Sequence, residues 1–287
     1  MQVAFRLNGE DVCVETTPTR TLLDWLREEQ GLNGTKEGCN EGGCGACTVM
    51  VQDGADAPRA LNACILLLPQ LQGKSLRTVE GISGPDGELH PVQQAMIDHH
   101  GSQCGFCTPG FIVSMAVAHK NGEQDFDTRL AGNLCRCTGY APIIRAAEAA
   151  ATQPVPDWMI EEGPEVPRTD AGKEAEVALP SSSDALADWY MANPDATLIA
   201  GATDVGLWVT KELRDLAPVA FRHRCADRKT ITEAESDLRI GAGVTITDLG
   251  DLMQDHHPGF AAMIRRYGSV QVRNAATIGG NIANGSP

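Results

Sequence analysis

The sequence has few basic residues and no long apolar run. Lysine and arginine together number 23 against 38 aspartates and glutamates, so the formal net charge is −15. Phosphate backbones and anionic lipid would repel such a surface, so we expect neither nucleic-acid nor membrane binding. The longest apolar stretches are residues 64–68 and residues 111–118, which Ser114 interrupts. Both are far shorter than the roughly 20 residues that a membrane-spanning helix needs.

The N-terminus has no apolar segment of the kind found in signal peptides. Residues 1–14 alternate apolar and polar side chains and include Arg6, Glu10 and Asp11. We therefore expect a cytoplasmic protein. Disulfides are rare in the reducing cytosol, so clustered cysteines there usually bind metal or carry redox chemistry. Of the ten cysteines, nine precede residue 138 and only Cys225 follows.

The first half of the chain divides into two blocks of different patterning. A length of 287 residues suggests about two domains, but the patterns predict more. In residues 1–80, short alternating runs flank an Asn8-Gly9 turn, which predicts a β-hairpin. Thr21 fits the N-terminal cap of a following helix, so this block is predicted to be an α+β domain. Residues 81–151 show only helical patterns and are predicted to form an all-helical domain.

The second half begins with a segment rich in proline and glutamate. Residues 152–180 contain five prolines and are predicted to be an exposed interdomain linker. Residues 181–287 alternate strand and helix patterns, which predicts a second α+β block. In it we expect a strand over residues 197–200, a turn at 201–204, and a helix that continues to about Arg214.

The first group of cysteines has the spacing of an iron–sulfur loop. Cys39, Cys44 and Cys47 form a C-x4-C-x2-C run, which is the plant-type ferredoxin spacing for a 2Fe–2S cluster, and Cys64 completes a quartet. Glycines in the loop let backbone N–H groups approach the sulfurs. Structural zinc is the alternative, but zinc quartets usually pair two C-x2-C knuckles, so the spacing favours the cluster. The fourth cysteine comes sooner than in plant ferredoxins.

The second group of cysteines forms a C-x2-C and a C-x-C pair in the helical block: Cys104, Cys107, Cys135 and Cys137. By itself this pattern fits zinc and an iron–sulfur cluster equally well. Thr108-Pro109 and Thr138-Gly139 directly follow the two pairs, where helices are expected to begin. Helix N-termini favour anions, and an all-thiolate cluster is an anion. Beside a redox domain, a second cluster is the more economical interpretation.

Two glycine-rich segments in the last block could approach a phosphate group. Residues 198–205 combine a strand, a turn of small residues and a helix start, and residues 277–287 are rich in Gly and Asn. Free N–H groups at such turns can hold a pyrophosphate. Neither segment is a G-x-G-x-x-G or Walker loop, so the residues alone favour plain turns. Cys13 and Cys225 are interpreted as ordinary residues, and the histidines show no metal-ligand spacing.

The motifs around the eight clustered cysteines resemble those of a known family. Residues 38–49, 103–110 and 132–140 are similar to the iron–sulfur half of the xanthine oxidase (molybdenum hydroxylase) family, and residues 201–204 and 277–281 resemble its FAD domain. The resemblance implies an α+β multidomain chain. Its parts would be a β-grasp ferredoxin-like domain, an all-α helical-bundle 2Fe–2S domain and the first part of an α+β FAD-binding domain.

The resemblance also implies roles for individual residues. Gln103 and Cys137 match the family residues that contact the pterin of the molybdenum cofactor, and no catalytic residue is expected in this chain. Tyr267 matches an aromatic residue near the flavin ring. The full set implied to bind FAD is Leu198, Ile199, Ala200, Gly201, Ala202, Thr203, Asp204, Val205, Tyr267, Thr277, Gly280 and Asn281.

The arrangement of domains implies a partner. Iron–sulfur and flavin parts in one chain, without a molybdenum domain, are similar to the small subunit of bacterial family members. A large molybdopterin subunit would hydroxylate xanthine or hypoxanthine, in a heterotetramer of two small and two large subunits. Electrons would pass through two 2Fe–2S clusters to FAD and then to NAD. The family's flavin motif continues beyond Pro287 to an Asp, so we expect a longer flavin domain than this sequence contains.

Two alternatives stay open at this point. A relative that oxidises aldehydes or other N-heterocycles would carry the same electron-transfer motifs, because the substrate is chosen in the partner subunit. A non-enzymatic interaction protein with zinc at one or both cysteine quartets is the alternative from a different class.

Overall fold

The computed structural model, which describes residues 1–160, 176–235 and 237–286, opens with the predicted β-hairpin. Strands β1 (Gln2–Leu7) and β2 (Glu10–Glu15) are antiparallel, with Leu7 opposite Glu10. Asn8 and Gly9 have φ angles of 49° and 93°. Positive φ at both central residues is what a two-residue type I′ turn requires, so the Asn-Gly signal is confirmed.

The first unit is a five-stranded mixed sheet with a helix packed on it. The strand order is β2-β1-β5-β3-β4, and only β1 and β5 are parallel. The Thr21 hydroxyl caps the helix by accepting a hydrogen bond from the N–H of Asp24 at 3.1 Å. This is the expected β-grasp arrangement. Its remaining elements are α1 (Leu22–Asp24), which continues as a π-helical segment over Trp25–Glu29, β3 (Thr48–Gln52), β4 (Arg59–Asn62) and β5 (Ser75–Arg77).

The second unit is all-helical, as predicted. Its elements are α2 (Pro91–Asp98), α3 (Thr108–Lys120), α4 (Phe126–Arg129) and α5 (Ala141–Ala150). In α3 every residue from 110 to 119 is buried, which identifies it as the central helix of the unit. Met50 of β3 and Ala60 of β4 belong to the same hydrophobic core as α3. The helical unit therefore packs directly on the sheet of the first unit.

The segment after α5 is less exposed than predicted. Of residues 152–180, only 152–160 and 176–180 are described, so most of the predicted linker, with Pro164 and Pro167, lies outside the described residues. Met159 is fully buried in the helical core, and the indole N–H of Trp158 donates to the Ile82 carbonyl at 3.2 Å. Residues 152–155 are exposed as predicted, but Met159 and residues 177–180 are buried. The expectation of exposure is wrong at those residues only, where burying apolar side chains stabilises the docked segment. The predicted domain boundaries stay predictions.

The third unit combines two small sheets with six helices. Its three-stranded sheet is parallel, in the order β6-β8-β7. The helix expected to reach about Arg214 ends at Thr210, and β8, β9 and the last two helices were not predicted. The elements are β6 (Val177–Ala178), α6 (Ser183–Ala192), β7 (Thr197–Ile199), α7 (Val205–Thr210), β8 (Val219–Phe221), β9 (Ile231–Glu233), β10 (Leu238–Ile240), α8 (Ile246–His256), α9 (Pro258–Ile264), α10 (Val270–Ala275) and α11 (Ile278–Asn284).

A buried group of amides and hydroxyls joins all three units. Gln271 of α10 is 1% exposed, and its side-chain NH2 donates to the Thr48 hydroxyl at 3.1 Å and to the Asn133 side-chain oxygen at 3.0 Å. The NH2 of Asn133 in turn donates to the Gly45 carbonyl at 3.1 Å, and the Ser114 hydroxyl donates to Asn133 at 2.8 Å. Buried hydrogen bonds of this kind have directional requirements, so they fix how the units are oriented.

The buried position of Met159 gives a test of the docked segment. Replacing Met159 with Ala should lower the free energy of unfolding by about 2–5 kcal/mol, because it leaves a cavity in the helical core. The neighbouring Ile160 is 67% exposed, so Ile160→Ala should change it by less than about 0.5 kcal/mol. Urea unfolding followed by circular dichroism measures both. Equal losses for the two variants would contradict the docking of this segment.

Candidate iron–sulfur centres and flavin site

The first four cysteines lie close together in two pairs. The thiols of Cys39 and Cys44 influence each other's pKa, and the Cys47 thiol raises the pKa of Cys64. Backbone N–H groups of the glycine-rich loop point at the sulfurs. Gly42 N–H donates to Cys64 Sγ at 3.2 Å, and the next N–H along the loop donates to Cys39 Sγ at 3.3 Å. The loop thus supplies the donors that stabilise sulfur carrying negative charge.

The two thiols of one pair, Cys39 and Cys44, differ in the direction in which the loop shifts their pKa. Burial alone raises the pKa of the Cys39 thiol, but hydrogen bonds from the N–H of Glu41, the Cys44 thiol and further backbone N–H groups outweigh it and lower that pKa. Burial and the Cys39 thiol raise the pKa of Cys44. The Cys47 thiol and burial raise the pKa of Cys64. In the Cys39–Cys44 pair, one thiol therefore loses its proton more easily next to a neighbour that keeps its own, as expected for two interacting groups.

The second four cysteines repeat the pairing. Cys104 Sγ and Cys137 Sγ are 3.4 Å apart, and the thiols of Cys107 and Cys135 influence each other's pKa. Helix α3 begins directly after Cys107, as predicted, but α5 begins only at Ala141 and not at Thr138-Gly139. Gly139 and Tyr140 have φ angles of 67° and 69°, so they form a turn before the helix. Burial and the Cys135 thiol raise the pKa of Cys107 to about 12. Burial raises the pKa of Cys135, but hydrogen bonds that include the Thr138 hydroxyl lower it overall.

The pairing of the thiols fits the chemistry of a two-iron cluster. Each iron of a 2Fe–2S cluster takes two thiolates, whereas zinc draws all four ligands to one centre at about 2.3 Å. Within the described ranges, no three His, Cys, Asp or Glu side chains are grouped so as to hold a single metal ion. The donor set in each quartet is four thiols in two close pairs. The residues present therefore fit two 2Fe–2S clusters.

The two cysteine groups are in direct backbone contact. Leu134 N–H, next to Cys135, donates to the Cys44 carbonyl at 2.9 Å. Gly45 has a φ of 67°, and a Cβ there would collide with the Gly132 carbonyl. Because a side chain is excluded at Gly45, the backbones of the two cluster loops can approach each other closely.

A cavity of about 250 Å³ lies between the two glycine-rich segments of the third unit. One residue of the predicted FAD set does not line it, because the Ile199 side chain is fully buried in the apolar core beside Phe221. Gln103, which is implied to contact the pterin, is exposed next to Cys104. The predicted residues that line the cavity are Leu198, Ala200, Gly201, Ala202, Thr203, Asp204, Val205, Tyr267, Thr277, Gly280 and Asn281.

Close packing at Gly201 brings the two segments together. A Cβ on Gly201 would overlap the Ala275 carbonyl. The Thr277 hydroxyl caps α11 by accepting from Gly280 N–H at 3.1 Å, and the Asn281 amide donates to the Tyr267 hydroxyl at 2.9 Å. Small residues and a helix start facing a cavity are features that let backbone approach a dinucleotide phosphate. The residues around this cavity therefore form a cradle that fits the phosphate portion of FAD.

The sequence did not single out every residue at this cavity. Trp208 and Arg222 also line it. Trp208 is the fourth residue of α7. The only sequence signal near it was the predicted turn at residues 201–204, which precedes this helix. Arg222 belongs to a run of basic residues just after β8, a strand that was not predicted.

The flavin cavity is joined to the first cysteine loop by α7. The Thr210 hydroxyl donates to the Asn40 carbonyl at 2.9 Å, and Lys211 Nζ donates to the Cys39 carbonyl at 2.6 Å. Near the other end of the helix, Gly206 packs on Ile65, the neighbour of Cys64. The helix that follows the flavin turn thus contacts the backbone beside two of the four cysteines.

Comparisons with known proteins match all three units. A 2Fe-2S iron–sulfur cluster binding domain matches residues 5–68, a [2Fe-2S] binding domain matches residues 78–148, and the FAD binding domain in molybdopterin dehydrogenase matches residues 173–287.

The relatives of this chain are named for different enzymatic activities. The xanthine dehydrogenase of Calliphora vicina is 32% identical over 99% of this chain and 26% of its own length. Aldehyde oxidase 2 of Macaca fascicularis is 28% identical over 98% of this chain and 26% of its own. A solved structure, quinoline 2-oxidoreductase from Pseudomonas putida 86, is 39% identical over 53% of this chain and 94% of its own, with a TM-score of 0.48.

The matches define an iron–sulfur flavoprotein region with two 2Fe–2S domains and an FAD-binding domain. The chain belongs to the xanthine oxidase family of oxidoreductases, and it contains the iron–sulfur and flavin region of that family. It spans about a quarter of the length of the curated relatives it matches. Among the helices of the described residues, none has both the length and the apolar character needed to cross a membrane.

Iron content tests the assignment of the eight cysteines. The protein should hold about four iron atoms per chain, and Cys47→Ser should remove about two of them, because one cluster loses a ligand. Cys13→Ser and Cys225→Ser should keep all four, since Cys13 is exposed on β2 and Cys225 packs against the Pro180 carbonyl. Metal analysis and paramagnetic resonance of the reduced protein measure this. Zinc in either quartet would refute the assignment for that quartet.

A bulky residue at Gly201 should remove flavin without removing iron. In Gly201→Val the new side chain must displace the Ala275 carbonyl, so we expect FAD to bind at least about tenfold more weakly. Gly259 lies in the same unit with open space around it, so Gly259→Val is the matched control. Flavin absorbance and iron analysis of the full-length protein report both sites. Normal flavin content in Gly201→Val would show that FAD does not use this cradle.

Proposed function

We propose that this chain is the electron-transfer subunit of a cytoplasmic, bacterial-type xanthine dehydrogenase. Xanthine or hypoxanthine is oxidised at the molybdopterin of a large partner subunit, and electrons pass through the two clusters to FAD and then to NAD. Two small and two large subunits form the enzyme. A relative that oxidises aldehydes or other N-heterocycles is the second candidate, and the similarity to an aldehyde oxidase supports keeping it.

The observation that carries this proposal is the spatial order of the three sites. Cys104 and Cys137 are exposed at the outer end of the helical unit. The backbone beside Cys135 is hydrogen-bonded to Cys44 in the first loop, and that loop is hydrogen-bonded to α7 beside the flavin cavity. Three redox sites linked by these hydrogen bonds support a chain that moves electrons between two distant surfaces.

This chain's own residues would hold three groups. The eight clustered cysteines are the ligands of two 2Fe–2S clusters, and the cradle between Gly201 and Gly280 holds FAD. When bound, the clusters carry single electrons and FAD exchanges electrons in pairs with NAD. The N–H groups of residues 42 and 43, which point at sulfur, stabilise the reduced and more negative state of the first cluster.

An apolar rim around the exposed cysteine pair supports a partner at this end. Phe106, Leu134 and Tyr140 are large apolar residues exposed to 48%, 62% and 37%. Contiguous exposed apolar side chains mark interaction surfaces. In the proposed enzyme the molybdopterin subunit covers this rim, and Gln103, exposed beside Cys104, contacts the pterin.

Purification of the native complex tests the proposal directly. The complex should contain a large molybdopterin subunit, and xanthine or hypoxanthine should drive NAD reduction. NAD reduction driven by an aldehyde, but not by the purines, would favour the second candidate. A chain that purifies without a molybdenum partner, or a complex that reduces no iron with any of these substrates, would refute the proposed function.

The role proposed for Gln103 can be separated from cluster assembly. Gln103→Ala should keep full iron content but slow the reduction of iron by substrate about tenfold or more, because a contact next to the cofactor is lost. Gln94 is an exposed glutamine on α2 of the same unit, so Gln94→Ala should leave the rate unchanged. Anaerobic stopped-flow absorbance measures substrate reduction, with dithionite as the reference reductant. A wild-type rate in Gln103→Ala would place the partner on another face.

A further inference from the structure

A second cavity, of about 120 Å³, lies between the first and third units. Leu61, Leu66 and Gln70 line it from the first unit, and residues around β8 line it from the third. It adjoins the flavin cavity, and Gly201 and Arg222 line both. Five basic side chains line this second cavity: Lys74, Arg222, His223, Arg228 and Lys229.

Polar atoms in this cavity are buried without partners. Both ring nitrogens of His223 and the Nε of Arg222 are inaccessible to solvent and have no hydrogen-bond partner among the described residues. More than nine in ten buried polar groups in proteins are hydrogen-bonded, so three such atoms in one place point to a missing ligand. The Nε–H of Arg222 and the single N–H of a neutral His223 ring both need an acceptor from that ligand. Gln70 and Asn274 do not supply these acceptors, because their side-chain oxygens already accept hydrogen bonds from the Leu67 N–H and the Thr247 hydroxyl.

The charges that line the cavity are all of one sign. Burial, together with Lys74, Lys229 and Arg224, lowers the pKa of His223 well below its usual value. The nearest carboxylate to Lys74 is Asp53, at 3.8 Å, and no Asp or Glu is among the described residues that line the cavity. A cavity lined by charges of one sign attracts counter-ions, so this group of cations, in a chain with a net charge of −15, favours an anion.

We propose that this cavity binds a phosphate-class oxyanion at a site separate from the flavin cradle. A phosphate offers several acceptor oxygens and a double negative charge, which match the unpaired N–H groups of Arg222 and His223 and the ammonium group of Lys229. Because residues from both units line the cavity, a bound anion bridges the ferredoxin-like unit and the flavin unit. The same chemistry could come from free phosphate or from the pyrophosphate of FAD, and competition separates these sources.

Calorimetric titration of inorganic phosphate into the full-length protein, with clusters assembled, tests the site. Binding should saturate at about one phosphate per chain in chloride buffer of constant ionic strength, with FAD present or absent. Lys229→Gln and His223→Gln should each weaken it about tenfold, the effect of losing one charge-assisted hydrogen bond. Arg239 is exposed on β10 in the same unit and does not line the cavity, so Arg239→Gln should bind phosphate as the wild type does.

Three outcomes would overturn the proposal. The first is the absence of saturable phosphate binding, and the second is an equal loss in Arg239→Gln and Lys229→Gln. The third is displacement of phosphate by FAD, which would assign these cations to the flavin pyrophosphate. Lys229 is exposed, so its neutralisation leaves the fold intact, and an unchanged circular dichroism spectrum and iron content verify this.

Discussion

The backbone contact between the two cluster loops is the constraint on which the other contacts depend. Gly45 has no room for a side chain against Gly132, and a Cβ on Gly110 of α3 would collide with the Gly45 carbonyl. Both exclusions come from backbone atoms, which cannot rotate away as a side chain can. The first loop, the start of α3 and the loop before α5 can therefore take only one relative position, and the hydrogen bond from Leu134 to Cys44 fixes it.

The flavin unit is oriented by the same junction more than by its ion pairs. Arg265 bonds Asp125 across the helical and flavin units, and Arg59 bonds Asp248 across the first and third, both at 2.5 Å. Pairs this exposed to solvent contribute only about 0–1 kcal/mol each. Gln271 is buried, and an unmet partner there costs about 1–3 kcal/mol. Its bonds into both neighbouring units therefore discriminate more strongly between correct and incorrect docking.

Sequence patterns predicted the parts of the fold that local chemistry determines. The Asn8-Gly9 turn, the Thr21 cap and the eight clustered cysteines are short-range signals, and the structure has the turn, the cap and the thiol pairs. Strand β8 was missed because all three of its residues are buried, and a strand buried on both faces has no polar–apolar alternation. Gln271 was missed because its partners Thr48 and Asn133 are 223 and 138 residues away in sequence.

Leu134 shows how the proposed electron path follows from these constraints. Its backbone N–H is tied to Cys44 of the inner loop, while its side chain is 62% exposed at the outer surface. Cys47 and Cys64 are buried, whereas Cys104 and Cys137 are exposed. The two centres therefore differ in exposure to solvent, although their loops are joined by a backbone hydrogen bond. A partner that covers Leu134 excludes water from the outer centre. Such a partner would contact Leu134, and the backbone N–H of Leu134 is hydrogen-bonded to Cys44 of the inner loop.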